Sequence, residues 1–324
     1  MQNTTSCTAI NAATTLGKMA EMPGFCKFGG LLFACRPETW EKFRQLPVGM
    51  LGGDRVLDGL QSAQALLEQG FDFDLPLWPQ KQIDAYPELN DTRLFHYPGR
   101  QGAPFVLVIP GGGYQSVCTF IEGFPAGAEL ARAGYHAFVL CYRVRKPALM
   151  PKPIEDAIQA LRLILANTET LGVGTQYAVM GFSAGGHLAA ELCTDNFGAH
   201  LAGLPRPRAA ALCYAALDLR ILGGNDTAEK FRHTVESSGP LEDFCINLHA
   251  DAAFPSTILW QCEDDDTVSF ENLRLMEKRL AELDVTHKAI AYQQGGHGLC
   301  KPHGPEADCW IDEVIRFLNQ HLPL

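Results

Sequence analysis

Two short stretches, FVLVIP (105–110) and HAFVLCYRV (136–144), are apolar almost without interruption, and EGFPAGAELARAGY between them repeats its apolar residues at helical spacing. Strands that show no inside-outside alternation are buried on both faces, the condition of a parallel sheet covered by helices on each side. The intervening helix is expected to stop at Gly134, which can take the left-handed conformation of a helix end. The same beat continues down the chain. A helix PIEDAIQALRLILANTETLG, opened by Pro153, precedes the strand QYAVMG and the helix GHLAAELCTD. Strands RAAALCYAAL and STILWQ, a helix FENLRLMEKRLAELD, a strand HKAIAY and a closing helix ADCWIDEVIRFLNQHL complete it. Such alternation specifies an α/β fold with a doubly wound, mostly parallel sheet flanked by helices.

Residues 1–70 differ in character. A Ser/Thr/Ala-rich start and a Gly29-Gly30 patch lead into PETWEKFRQL and DRVLDGLQSAQALLEQ, both with helical patterns. The expected organisation is an N-terminal helical extension of unassigned role over 1–70 and a catalytic unit over 71–324. A lid, a dimer arm and a pocket wall are all open for the extension, and a homo-oligomer is open with them.

Bulk properties exclude several classes. With 324 residues, 47% of them apolar, the chain can bury a sizeable core. A formal net charge of −11 argues against nucleic acid, whose phosphates require clustered Lys and Arg. The eleven cysteines are odd in number, scattered and free of any CxxC pair, as expected for reduced thiols rather than disulfides or a zinc site. The start MQNTTSCTAINAATTLGK carries neither a basic-then-apolar leader nor a bilayer-length run, so a soluble, cytoplasmic protein without a membrane partner is expected.

The sharpest chemical signal is VMGFSAGGHLAA, where Gly181, Ser183 and Gly185 stand in G-x-S-x-G spacing between a strand and a helix. A serine on such a strained turn needs small neighbours so that strand and helix approach closely and its hydroxyl stays exposed. The bland alternative is a glycine-rich turn whose serine merely caps the helix. Upstream, FVLVIPGGGYQS places Gly111, Gly112 and Gly113 at a strand tip, where bare backbone N–H groups can face a developing alkoxide. A phosphate-binding loop is disfavoured, since neither G-x-G-x-x-G nor a following Lys-Ser/Thr is present.

A serine nucleophile requires a base and the base an orienting acid. His297, in the glycine-flanked loop YQQGGHGLC after the last strand, is the expected base; His303 is the second choice, and His187 is expected to pack or cap in its helix. The acid lies in CEDDDTVSF, where Glu263, Asp264, Asp265 and Asp266 adjoin a strand end. The order Ser, Asp, His matches the arrangement on α/β-hydrolase sheets. The cluster fits a calcium loop poorly, because carboxylates there alternate along the chain.

Taken together, LPLWP, PGGGY, EGFPAGAELARAGYHAFVLCYRV, MPKPIEDAIQALRLI, VMGFSAGGHLAA, DDDTVSFEN and GGHG resemble the α/β-hydrolase superfamily over roughly 75–318. The likeness is strongest to bacterial esterases related to hormone-sensitive lipase and to acetyl-xylan-esterase-like carbohydrate esterases. Pro110 stands where the lipase-like branch has a histidine, which favours the carbohydrate-esterase-like side; Ser269 stands where a proline is common. The resemblance implies Ser183 as nucleophile, His297 as base and Asp265, three residues before Val268, as acid, with Asp264 as rival. It implies Gly112, Gly113 and Ala184 as oxyanion donors, no metal and no cofactor. The implied activity is hydrolysis of small acyl esters, acetylated saccharides leading. The alternatives are a serine peptidase of the prolyl-oligopeptidase type and a non-catalytic binding protein on the same fold.

Overall fold

The computed structural model of the protein describes residues 9–145, 148–298 and 309–324. Its strands are β1 (Asp74–Leu75), β2 (Arg93–Tyr97), β3 (Phe105–Ile109), β4 (His136–Cys141), β5 (Tyr177–Phe182), β6 (Ala209–Cys213), β7 (Ser256–Cys262) and β8 (His287–Tyr292). They form a single sheet in the order 1-2-4-3-5-6-7-8. β1–β2 and β2–β4 pair antiparallel, and every pair from β4 through β3 to β8 is parallel. Every residue of β3, β4, β5 and β6 is buried, as continuous apolar runs require, whereas β8 at the sheet edge is largely accessible. The doubly wound α/β architecture expected from the alternation is therefore present.

The helices that matter below are α1 (Pro37–Phe43), α2 (Gly53–Glu68), α3 (Phe124–Ala133), α4 (Lys152–Ala166), α5 (Ala184–Glu191), α6 (Asp226–Glu236), α7 (Glu271–Glu282) and α8 (Trp310–His321). α2 and α8 pack on α3, while α4 packs on α5, so the sheet is covered by two groups of helices. α3 ends at Gly134 in the left-handed region, φ 106°, with its N–H on the Leu130 and Ala131 carbonyls.

Several boundaries differ from the sequence expectation. The long helix opened by Pro153 breaks at Asn167, whose side-chain amide donates to the Leu163 carbonyl and takes an acceptor the next turn would have used. β4 and β6 stop at Cys141 and Cys213, shorter than their apolar runs; Tyr214 turns away with φ 38°. Neither β1, β2 nor α6 was expected.

The first described residues share the core of the rest. Phe28 lies 4.9 Å from Phe95 of β2, ring to ring, and Phe33 6.1 Å from Phe120. Ala34 bridges Val117, the Val117 N–H donating to the Ala34 carbonyl and the Phe120 N–H to that of Leu32. No described helix is long and apolar enough to cross a membrane.

A buried histidine pair lies between β2 and β4. His96 stacks on Phe138 at 4.2 Å, its Nε2 is 3.0 Å from Nδ1 of His136, and the His136 Nε2–H donates to the Arg100 carbonyl. Burial, with His136 alongside, holds the His96 pKa down to about 3 from the ordinary 6.5. A depressed folded-state pKa contributes stability above pH 6.5 that is lost as pH falls, because only the unfolded chain takes up the proton. Relative to His96→Phe, the wild type is expected to lose about 1.4 kcal/mol of unfolding free energy per pH unit between about pH 6 and 4. Urea unfolding at fixed temperature measures the difference; a difference independent of pH would contradict the neutral, buried His96.

Candidate active site

β5 delivers the chain to Ser183 and α5 begins on the next residue, so Ser183 occupies a turn of no width. Its φ of 52° and ψ of −120° are sparsely populated for a residue with a side chain and cost about 1–3 kcal/mol. The surroundings over-determine that conformation: the Ser183 N–H donates to the Cys213 carbonyl, and the Ser183 carbonyl accepts from the His187 and Ala216 N–H groups. A Cβ on Gly181 would lie 2.1 Å from the Gly185 carbonyl oxygen, and one on Gly185 2.1 Å from that of Ile109. The two glycines thus let the turn close and let it lie against the strand carrying the glycine loop. The Ser183 side chain makes no capping bond to α5, which removes the bland explanation of the motif.

The Ser183 hydroxyl instead lies 2.8 Å from Nε2 of His297, and Nδ1 of the same ring lies 2.8 Å from Oδ2 of Asp265. Facing a carboxylate, Nδ1 carries the ring proton, which leaves the Nε2 lone pair toward the serine. Asp265 is 8% exposed and fully engaged. Its Oδ1 accepts the Thr267 and Val268 N–H groups at 3.0 and 2.9 Å, and its Oδ2 accepts from the Gln261 side chain at 3.1 Å. Asp264 serves the loop bearing the histidine, accepting the Gly296 N–H at 2.7 Å and that of Gly295 at 3.3 Å. Glu263 and Asp266 are exposed. His187 is buried in α5 between the Tyr114 hydroxyl at 2.9 Å and the Phe244 carbonyl at 2.7 Å, and burial lowers its pKa to about 4. His303 falls outside the described residues.

The glycine loop is oriented by its carbonyls. Gly111 C=O accepts from Cys118, and Gly112 C=O accepts from Gln115 and Ser116. In a planar trans peptide the N–H opposes the carbonyl, so the Gly112 and Gly113 N–H groups face the other way. Gly112 and Gly113 have φ values of 130° and 61°. Ala184 is the first residue of α5, where an N–H has no intrahelical acceptor.

Three contributors were not read from the sequence. Glu122, 6% exposed, accepts the Gly111 N–H on Oε2 and the Tyr214 O–H on Oε1, and burial pushes its pKa up against those two bonds and the nearby His297. Tyr214 stands edge-on to the His297 ring at 5.1 Å. Helix α6 lies over the loop: a Cβ on Gly113 would meet Phe231 at 3.8 Å and Thr227 at 3.9 Å. The available signal for Glu122 was one acid inside an otherwise apolar and glycine run, FIEGFPAG.

A family model described as BD-FAE matches residues 95–205, the part carrying the glycine loop and Ser183. The endo-1,4-beta-xylanase B of Butyrivibrio fibrisolvens is 29% identical over 214 residues, 60% of this chain and 32% of the relative. An acetylxylan esterase of Xylanibacter ruminicola is 31% identical over 90 residues, 28% of this chain and 18% of the relative. The chain thus spans a third or less of these relatives. Among solved structures, an acetyl ester-xyloside bifunctional hydrolase from Caldicellulosiruptor lactoaceticus superposes with a TM-score of 0.64 at 27% identity, covering 76% of this chain and 95% of its own.

Proposed function

We infer from this chain's membership of the α/β-hydrolase superfamily, and from the hydrogen-bonded line Ser183–His297–Asp265, that it is a serine carboxylic ester hydrolase acting on small acyl esters. The observation that carries the reading is the pair of 2.8 Å contacts on the two nitrogens of His297. As the Ser183 hydroxyl attacks the ester carbonyl, its proton passes to Nε2, and Asp265 holds the resulting imidazolium in place. The carbonyl oxygen becomes an alkoxide facing the Gly112, Gly113 and Ala184 N–H groups; each such donor contributes roughly 3–4 kcal/mol in the transition state. Collapse expels the alcohol, which takes the proton back from His297. Water, deprotonated by the same nitrogen, then cleaves the acyl-serine to the free acid.

Acetyl groups on saccharides are the leading substrate. The names of the relatives support this choice. In this reading 71–324 is the catalytic unit and the preceding segment buttresses it through the Ala34–Val117 bridge. The eleven scattered cysteines, with no CxxC pair among them, support a reducing, cytoplasmic setting. With p-nitrophenyl acetate, butyrate and octanoate and an acetylated xylo-oligosaccharide as substrates, kcat/KM is expected to fall at least about tenfold from acetate to octanoate. An enzyme preferring octanoate would remove the small-acyl assignment, and absence of turnover on all four would remove the esterase reading.

A further inference from the structure

Glu122 presents a problem of physical cost. An ionised carboxylate taken out of water loses several kcal/mol of solvation, and here both of its hydrogen bonds come from neutral donors rather than from a cation. What those donors are explains where the carboxylate sits. The Gly111 N–H belongs to the peptide linking Pro110 to Gly111, and the carbonyl of that same peptide accepts the Tyr142 O–H at 2.8 Å. Holding both polar ends of a planar peptide fixes its plane, and hence the direction from which the next two peptides depart. Those are the peptides that carry the Gly112 and Gly113 N–H groups. The held peptide also lies against the nucleophile, since a Cβ on Gly111 would come within 2.9 Å of Ser183 Cβ.

The second donor reaches the base. Tyr214 follows β6 with φ 38°, its N–H on the Trp260 carbonyl at 2.7 Å and its ring edge-on to His297. Its hydroxyl, 2.8 Å from Glu122, sets how that ring stands beneath the imidazole. One buried side chain therefore ties the glycine loop on one side of Ser183 to the histidine on the other.

We propose that Glu122 is a positioning residue of the ester hydrolysis, fixing at once the plane of the peptide leading into the oxyanion loop and the Tyr214 ring against which His297 stands. The proposal rests on the esterase reading. A side chain that only filled space there would affect folding or substrate binding. One that aligns donors met only by the transition state affects kcat.

The test compares wild type, Ser183→Ala, Glu122→Leu and Glu122→Gln on p-nitrophenyl acetate, with the melting temperature of each. Glutamine keeps an acceptor for Gly111 and meets Tyr214 with an amide that donates to its hydroxyl oxygen; leucine keeps neither bond. Glu122→Leu is expected to lower kcat about 100-fold and Glu122→Gln about tenfold, both with KM within about threefold of wild type, the size of losing oxyanion alignment. Both variants within twofold of wild-type kcat, or a loss carried by KM, overturns the proposal while leaving the esterase intact. If Glu122→Leu does not fold, Glu122→Gln decides alone by the same criterion. A wild-type protein inert toward every ester overturns the esterase reading and this proposal with it.

Discussion

Ser183→Ala is expected to lower kcat on p-nitrophenyl acetate by at least about 10⁴-fold while leaving the protein folded. Alanine removes the hydroxyl oxygen that lies 2.8 Å from His297 Nε2, so what survives is catalysis by binding and by the oxyanion donors acting on water. The cost to the fold is small because the Ser183 backbone, not its side chain, makes the bonds to Cys213, His187 and Ala216. Loss of the contact to His297 removes about 1 kcal/mol. Ser183→Gly offers an internal control. A glycine takes a φ of 52° without the penalty a Cβ imposes, so this variant is expected to be as inactive as alanine and more stable than it. Turnover by Ser183→Ala above about a hundredth of wild type would dismiss Ser183 as the nucleophile, and the G-x-S-x-G geometry would then need another reason.

How much of this was legible beforehand follows from what kind of interaction decides each feature. The parallel strands announced themselves because burial on both faces leaves no polar position to interrupt the run, as in Phe105–Ile109. The turn at Ser183 was legible because its close approaches can be met only by glycine at 181 and 185. β2, with the sequence RLFHY, was not, since it carries an arginine and a histidine whose burial depends on partners far along the chain: Asp74 for Arg93, and His136 for His96. Helix α6, DTAEKFRHTVE, buries Ala228, Phe231 and Val235 at i, i+3 and i+7 behind the cap Asn225, a helical spacing present in the sequence but carried by only three apolar residues and so passed over. Glu122 escaped for the same reason as β2. A buried carboxylate is made tolerable by Gly111 and Tyr214, and nothing local to TFIEGF predicts them. The acidic run 263–266 narrowed the acid to neighbours, but which one turns inward is a matter of loop register that only the folded bonds decide.

Those bonds make a discriminating prediction. In Asp265, Oδ1 is committed to two backbone N–H groups, those of Thr267 and Val268, so an asparagine at this position must keep its carbonyl oxygen there. Its amide nitrogen then falls where Oδ2 stood, facing His297 Nδ1 and the donating Gln261 side chain. Donor meets donor unless the imidazole moves its proton to Nε2, and an Nε2 that carries a proton cannot accept one from Ser183. Asp265→Asn is therefore expected to reduce kcat about 10⁴-fold with little change in KM, the cost of the wrong tautomer. Asp264→Asn meets no such trap. Its carbonyl oxygen can retain the 2.7 Å bond from Gly296 while the 3.3 Å one from Gly295 is lost, so the histidine loop keeps its shorter anchor. A loss of kcat within about tenfold is expected there, since one long hydrogen bond is worth about 1 kcal/mol. Steady-state kinetics of the two variants on one aryl acetate separates them. The reverse ranking would transfer the orienting role to Asp264, and equal losses would mean that the loop acts as a unit rather than through a single carboxylate.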